Sequence, residues 1–390
     1  MYFDWITWSV WTLGLILLLY WLFKTTREIK EIIISQNKQH SNKEGIENRM
    51  KQTTETYREI TEQPAVWQDT LNILREQEDE IKKYMSAIGE DTEVILTGCG
   101  TSYYLPLTAA SMYTKMTGCP ARGVPASDIL IFPETVLAKN RKYLLVAISR
   151  KGETKETNAA AEYVKEVAGG QVLAITCTPG SSLSQISDFV ISAPAAAEKS
   201  KFMTKSFTSM LLAFQYLTAL KTGDDRLLEE LSTLPQHGVR LISRYEETAR
   251  MIAEQFEAGL FVYLGQGPFY GLAAESMLKV KEMACTPAEA FHTLELMHGP
   301  KYALNEETLV TMLLSDTGAE WELPLIEKIK EFGARLKIIC DSASQEAKTH
   351  ADYLIELESG LSEYARFLLY LPVVQLFGYY RALHTGKEVE

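Results

Sequence analysis

From Val94 onward the chain repeats itself at a nearly constant offset. Val94-Ile-Leu-Thr-Gly-Cys-Gly100 returns as Val262-Tyr-Leu-Gly-Gln-Gly267, each an apolar run that ends in Gly-x-Gly and leads into a stretch rich in Ala and Met. Tyr143–Ser149 returns as Leu309–Ser315, Val172–Cys177 as Leu336–Asp341, and Asp188–Ile191 as Asp352–Ile355. Short apolar runs alternating with helical stretches predict parallel strands joined by crossover helices, with both faces of each sheet covered. The expected class is therefore α/β, with two tandem, doubly wound parallel-sheet domains. In such folds ligands lie beyond the carboxyl ends of the strands, where loops meet helix N-termini. Two loops occupy that position in the first half, Gly98-Cys-Gly-Thr-Ser102 and Ser149-Arg-Lys-Gly-Glu-Thr154.

Length and charge fit this plan and narrow the partners. The 390 residues, 46% of them apolar, are ample for two cores. A formal charge of −12 argues against a nucleic-acid partner, because phosphate backbones are held by surplus Lys and Arg. Cys99, Cys119, Cys177, Cys285 and Cys340 form no Cys-x-x-Cys pair, and no cluster of His, Cys and carboxylates has metal-ligand spacing. Neither a disulfide framework nor a metal site is expected.

Residues 5–23 carry no charge, about the length needed to cross a bilayer. Trp5, Trp8, Tyr20 and Trp21 fall near the ends of this stretch, and Lys24, Arg27 and Lys30 follow it. The pattern predicts a single uncleaved N-terminal transmembrane helix, with the rest of the chain at the cytoplasmic face of the cell membrane. Translation from Met50 would instead give a cytoplasmic chain without the anchor. The expected division is anchor 1–24, polar tether 25–54, helical lead-in 55–90, first sheet domain 91–220, helical linker 221–255, second sheet domain 256–386 and tail 387–390.

Both strand-end loops of the first half present glycines, which let a ligand approach the backbone, and hydroxyls, which hydrogen-bond it. Each stands before a helix whose unpaired N–H groups and positive dipole end favour an anion. Two such loops on neighbouring strands can converge on one phosphate. A tight turn capped by Ser and Thr is the alternative for either loop alone, and Tyr103 stands where the dinucleotide fingerprint needs a third glycine. In the second half, Glu275, Lys279 and Glu282 fall on one helical face by the i, i+4, i+7 rule. Two carboxylates and an ammonium on an otherwise apolar helix are costly unless they face solvent, one another or a site. From spacing alone, a solvated salt-bridged stripe is the simpler account.

The combination of GCGTS (98–102), SRKGET (149–154), TPGSSLSQISD (178–188) and MTKSFT (203–208) resembles the sugar isomerase (SIS) domains of phosphosugar enzymes. KVKEMACTPAEAFHTLELMHGP (279–300) is similar to the second domain of the same group. That group includes ketose–aldose isomerases, amino-sugar phosphate deaminases, fructosamine-phosphate deglycases and the isomerase half of glucosamine-6-phosphate synthase. The resemblance runs in order over about residues 55–386 and implies a flavodoxin-like fold for each domain.

It also implies roles. Ser102, Ser149, Lys151 and Thr154 would hold phosphate, with Cys99, Gly100, Thr101, Arg150 and Lys201 alongside. Glu282 would be the base that moves a proton between C1 and C2 of an open-chain sugar, with Lys279 in the same site and Glu289 as an acidic neighbour. His298, in Met297-His-Gly-Pro300, would open the sugar ring and reach in from a neighbouring subunit, so at least a homodimer is expected. No organic cofactor or metal is implied. The expected function is that of a phosphosugar isomerase or deaminase acting on an amino-sugar or fructosamine phosphate with release of the amine. A plain ketose–aldose isomerase and a non-catalytic sugar-phosphate-binding regulator are the alternatives; a Glu–His pair speaks against the latter.

Three departures bear on this. Lys151 replaces the usual second serine of the loop; it can serve phosphate as a point charge, point outward and leave only its N–H in the cradle, or reach a carboxylate on the substrate. No glutamine-hydrolysing domain precedes the sugar domains, and the tail lysine of the synthase has no counterpart before the chain stops at Glu390. Glutamine-dependent synthesis within this chain is therefore not expected.

Overall fold

The computed structural model describes residues 54–257 and 259–390, so the expected anchor and nearly all of the tether lie outside the described residues. Among the described residues, no helix is long and apolar enough to cross a membrane. Three helices lead in: α1 (Glu55–Thr61), α2 (Gln63–Glu76) and α3 (Glu78–Ser86). The first sheet follows, with β1 (Thr92–Gly98), β2 (Ala121–Pro125), β3 (Lys142–Ser149), β4 (Gln171–Thr176) and β5 (Phe189–Ser192) in the order β2-β1-β3-β4-β5. The second contains β6 (Leu260–Gly265), β7 (Ala288–Phe291), β8 (Thr308–Leu313), β9 (Arg335–Cys340) and β10 (Tyr353–Glu356) in the order β10-β9-β8-β6-β7. Read from its other end, this is the order of the first sheet, and every pairing in both is parallel.

The four repeated segments of the sequence are the pairs β1/β6, β3/β8, β4/β9 and β5/β10. The fifth pair, β2 and β7, was not visible in the repeat. Ala121-Arg-Gly-Val-Pro125 and Ala288-Glu-Ala-Phe291 are short and poor in β-branched residues. Each is an edge strand paired to one neighbour, Val94 with Ala121 and Phe261 with Ala288. Backbone pairing to a preformed strand outweighs weak propensity there.

Central strands are apolar on both faces because both faces are covered: β3 is buried from Tyr143 to Ser149. Ile95, Leu145 and Val172 belong to one core, and Val262, Val310 and Leu336 to its counterpart in the second half. The larger helices are α4 (Thr101–Thr117), α5 (Lys155–Glu166), α6 (Lys205–Thr222), α7 (Asp225–Gln255), α8 (Phe269–Ala284) and α9 (Leu371–His384). Helix α6 is buried from Lys205 to Leu220, packed between α2, α4 and β4.

Helices α4 and α8, which follow β1 and β6, start in the same way. A Cβ on Gly98 would lie 2.2 Å from the Ser102 carbonyl oxygen, and one on Gly265 would lie 2.3 Å from that of Phe269. The chain therefore needs glycine to turn from strand into helix at both places. The two helices then cross each other at Gly271. Its absent Cβ would lie 2.6 Å from the Tyr104 carbonyl oxygen and 2.7 Å from the Thr108 amide nitrogen. The Thr108 hydroxyl donates a 2.7 Å hydrogen bond to the Pro268 carbonyl and locks the crossing.

Because the clash at position 271 is with backbone, Gly271→Ala forces the two domains apart. Overpacking of this kind costs about 1–3 kcal/mol, more than the helix propensity that alanine gains. A urea unfolding curve of G271A is expected to shift its midpoint down; an unchanged midpoint would show the crossing to be slack.

Candidate active site

Helix α8 forms because Ala, Leu, Met, Glu and Lys dominate its sixteen residues. It stops at Cys285, whose φ of 51° is left-handed, two residues before Pro287. Its polar stripe is no solvated face. Glu275 and Lys279 are 0% exposed, and only Glu282, at 37%, reaches solvent. The Lys279 ammonium lies 3.2 Å from Glu275 Oε1 and donates a 2.8 Å hydrogen bond to Glu282 Oε2. It donates a second, 3.2 Å long, to Thr101 Oγ1 across the domain crossing. One buried ammonium thus ties the carboxylates of the second domain to the first residue of α4.

Electrostatics follow from that burial. Desolvation pushes the Glu275 carboxyl up to about 7, against the pull of Lys279. Neither of its oxygens accepts a hydrogen bond of good geometry among the described residues, although the ion pair is close. Burial also works against the Lys279 charge, but Glu275 and Glu282 outweigh it and hold the ammonium above its ordinary value.

The loop that carries Thr101 is one side of a cradle. Ser102 is buried and its hydroxyl points to Met203 Sδ at 3.9 Å. Cys99 is half-buried with its Sγ 3.7 Å from Thr157 Oγ1, and burial raises its thiol pKa. The second side comes from the loop after β3. Ser149 Oγ lies 3.1 Å from Thr154 Oγ1 and accepts a 3.1 Å hydrogen bond from the Gly152 amide. The amides of Arg150, Lys151, Glu153 and Thr154 have no acceptor among the described residues. Neither do those of Gly100 and Thr101, at the start of α4. Such clustered, unspent N–H groups make an anion-binding concavity.

Not every residue singled out in the sequence joins this cluster. The Arg150 guanidinium is spent on its own chain, through a 2.9 Å ion pair with Glu198 and hydrogen bonds to the carbonyls of Ser200, Lys201 and Phe202. It shapes the wall of the cradle, leaving its amide facing the loop. Lys151 and Lys201 are exposed, and Lys151 has no ion-pair partner among the described residues. Glu289 is exposed on β7, and His298 is exposed in the 3-10 turn Leu294–His298. No hydrogen bond joins His298 to Glu282 among the described residues.

Sequence reasoning gave no role to Glu275, Glu198 or Met203. Spacing had already put Glu275 on the face of Lys279; burial, which spacing cannot show, is what makes it matter. Glu198 and Met203 come from a loop after β5 that carries no periodic signal.

Comparisons with known proteins agree with the fold. The SIS domain family matches residues 88–220 and 257–377. A glutamine–fructose-6-phosphate aminotransferase (isomerizing) from Caldanaerobacter subterraneus subsp. tengcongensis is 28% identical over 85% of this chain. The chain spans 56% of that relative's length. Among solved structures, a tagatose-6-phosphate ketose/aldose isomerase from Escherichia coli superposes with a TM-score of 0.76 at 24% identity, covering 86% of this chain and 94% of its own. A glucosamine-6-phosphate deaminase from Thermotoga maritima does so with a TM-score of 0.63 at 27% identity, covering 82% and 96%.

The raised Glu275 carboxyl makes a stability prediction. Folded protein holds that proton more tightly than unfolded protein, so its stabilisation is full below pH 4.5 and is lost as pH rises through about 7. Glu275→Gln keeps the shape and removes the titration. Urea unfolding at pH 5 and pH 8 should show E275Q gaining on the parent chain as pH rises, and a constant difference would contradict the buried titration.

Proposed function

From the chain's membership of the SIS domain family, we propose that it is a phosphosugar enzyme which moves a proton between C1 and C2 of a bound amino-sugar or fructosamine phosphate and releases the amine. The observation that carries this reading is the Lys279–Thr101 hydrogen bond, which sets the carboxylate cluster of one domain against the anion cradle of the other. The cradle takes the phosphate on its amides and on Ser102, Ser149 and Thr154. A fixed phosphate orients the open-chain sugar, and Glu282, the exposed member of the cluster, is the group positioned to take a proton from it. Deprotonation next to the carbonyl or imine carbon gives an enol or enolamine, and return of the proton to the neighbouring carbon completes the shift. Where nitrogen is attached at that position, the resulting imine adds water and expels the amine.

Lys279 holds Glu282 in place and balances its charge. Exposed His298 enters the site of a second copy to open the sugar ring, which accounts for its lack of a bond to Glu282 within the chain. By name, the related aminotransferase acts on glutamine and fructose-6-phosphate and the related deaminase on glucosamine-6-phosphate, which favours nitrogen chemistry over plain isomerisation. The uncharged stretch 5–23 adds to this reading an attachment to the cytoplasmic face of a membrane.

The test is incubation with 6-phosphorylated amino sugars and fructosamines, reading released ammonia or amine together with the sugar product. Isomerisation without amine release would demote the chain to a ketose–aldose isomerase, and binding without any turnover would make it a regulator. Glu282→Gln should lower kcat by about 10²–10⁴-fold while the affinity for phosphosugar holds, because only the proton transfer is lost. Undiminished turnover would remove Glu282 from its role.

A further inference from the structure

The repeat supplies the second domain with a loop equivalent to the cradle loop after β3. It is Ser315-Asp-Thr-Gly318, after β8, and it closes the same ring: the Gly318 amide donates a 2.9 Å hydrogen bond to Ser315 Oγ, as Gly152 does to Ser149 at 3.1 Å. What differs is where the remaining donors go. Glu322, 0% exposed, accepts from the Ser315 amide at 3.1 Å, from Ser315 Oγ at 2.7 Å and from Thr293 Oγ1 at 2.9 Å. Glu363 accepts from the amides of Asp316 and Thr317 and from Thr317 Oγ1, at 2.6, 3.2 and 2.7 Å. Every amide of residues 315–318 is therefore spent on the chain itself.

The flanking charges are reversed as well. Arg150 in the first loop pairs with Glu198, whereas its counterpart Asp316 in the second pairs with Arg366 at 2.6 Å. The first loop carries Arg150, Lys151 and Glu153; the second carries Asp316 and is hydrogen-bonded by Glu322 and Glu363.

We propose that Glu322 is an internal anion that fills the second cradle as a phosphate fills the first, and that it confines phosphosugar binding to the first domain. A carboxylate buried beside three donors presents the same charge and acceptor pattern as part of a phosphate. Its removal leaves the Ser315 amide, Ser315 Oγ and Thr293 Oγ1 without an acceptor in a space the size of the lost side chain. A small tetrahedral anion is the ligand class that satisfies them. The inference rests on the reading that the first cradle holds phosphate, and the experiment separates the two.

Inorganic phosphate is titrated by equilibrium dialysis into the full chain, into T154A, and into E322A and E322S; the serine variant keeps a hydroxyl for Thr293 should the alanine variant fail to fold. The parent chain should bind one phosphate, T154A should bind it at least tenfold more weakly, and the Glu322 variants should bind two. No phosphate on the parent chain, or full affinity in T154A, would sink the first-cradle reading. Two phosphates on the parent chain, or one on a folded Glu322 variant, would overturn the role of Glu322 while leaving the first cradle intact.

Discussion

The Lys279 ammonium sits where two domains, two helices and two kinds of chemistry meet. A charge at zero exposure is tolerable only when opposite charge and hydrogen-bond acceptors surround it. Here the acceptors come from both halves of the chain: Glu275 and Glu282 on its own helix, and Thr101 at the head of α4. If α4 and α8 separated, the ammonium would lose Thr101 and water would enter beside Glu275. Domain packing and the charge state of the cluster are thus one problem with one solution. The close approach at Gly271 brings the cradle loop and the carboxylates together without any long loop having to reach across.

This arrangement also orders the carboxylates. Of two glutamates sharing one lysine, the one with zero exposure carries the cost of desolvation, and its pKa rises to about 7. Glu282, hydrogen-bonded to the same lysine, lies open to solvent. Two side chains of the same type, seven residues apart on one helix, thus share one lysine at different depths, one buried and one exposed.

Much of this was legible in the sequence, and the limits of legibility have physical causes. The α/β class, the parallel sheets and four of the five strand pairs followed from the repeat, because apolar strands alternating with helical stretches admit few architectures. The cradle loops and the Glu-Lys-Glu face were readable because glycine placement and helical spacing are local properties. Edge strands β2 and β7 were not readable, since pairing with a neighbour makes them strands. Nor could the sequence tell that the Arg150 side chain would turn away: its partner Glu198 is 48 residues on, in a segment without periodicity. The same limit applied to the second loop, whose Ser-x-x-Gly pattern repeats that of the first while a carboxylate four residues beyond the glycine closes it.

The lead-in helices show that the cradle is built from more than the two segments that the SIS domain model matches. Glu59 of α1 accepts hydrogen bonds from the amides of Lys199 and Ser200 and from the Ser200 hydroxyl, and Glu62, which follows it, pairs with Lys205 at 2.5 Å. Arg150 grips the same stretch from the other side. That stretch carries Met203 against Ser102, so the wall of the cradle is held between a loop of the first sheet and a helix that precedes it. One turn further, Trp67 Nε1 donates to Thr208 Oγ1, Thr208 donates to Gln63, and Gln63 donates to Gln375 on α9. This buried relay joins the lead-in, the first domain and the closing helix of the second. Each of its members is satisfied only when all three elements are in place, which is the condition under which a buried polar chain specifies one arrangement. Residues 55–76 lie before the family match begins at residue 88, yet they set the position of the wall against which the substrate's anionic end would rest.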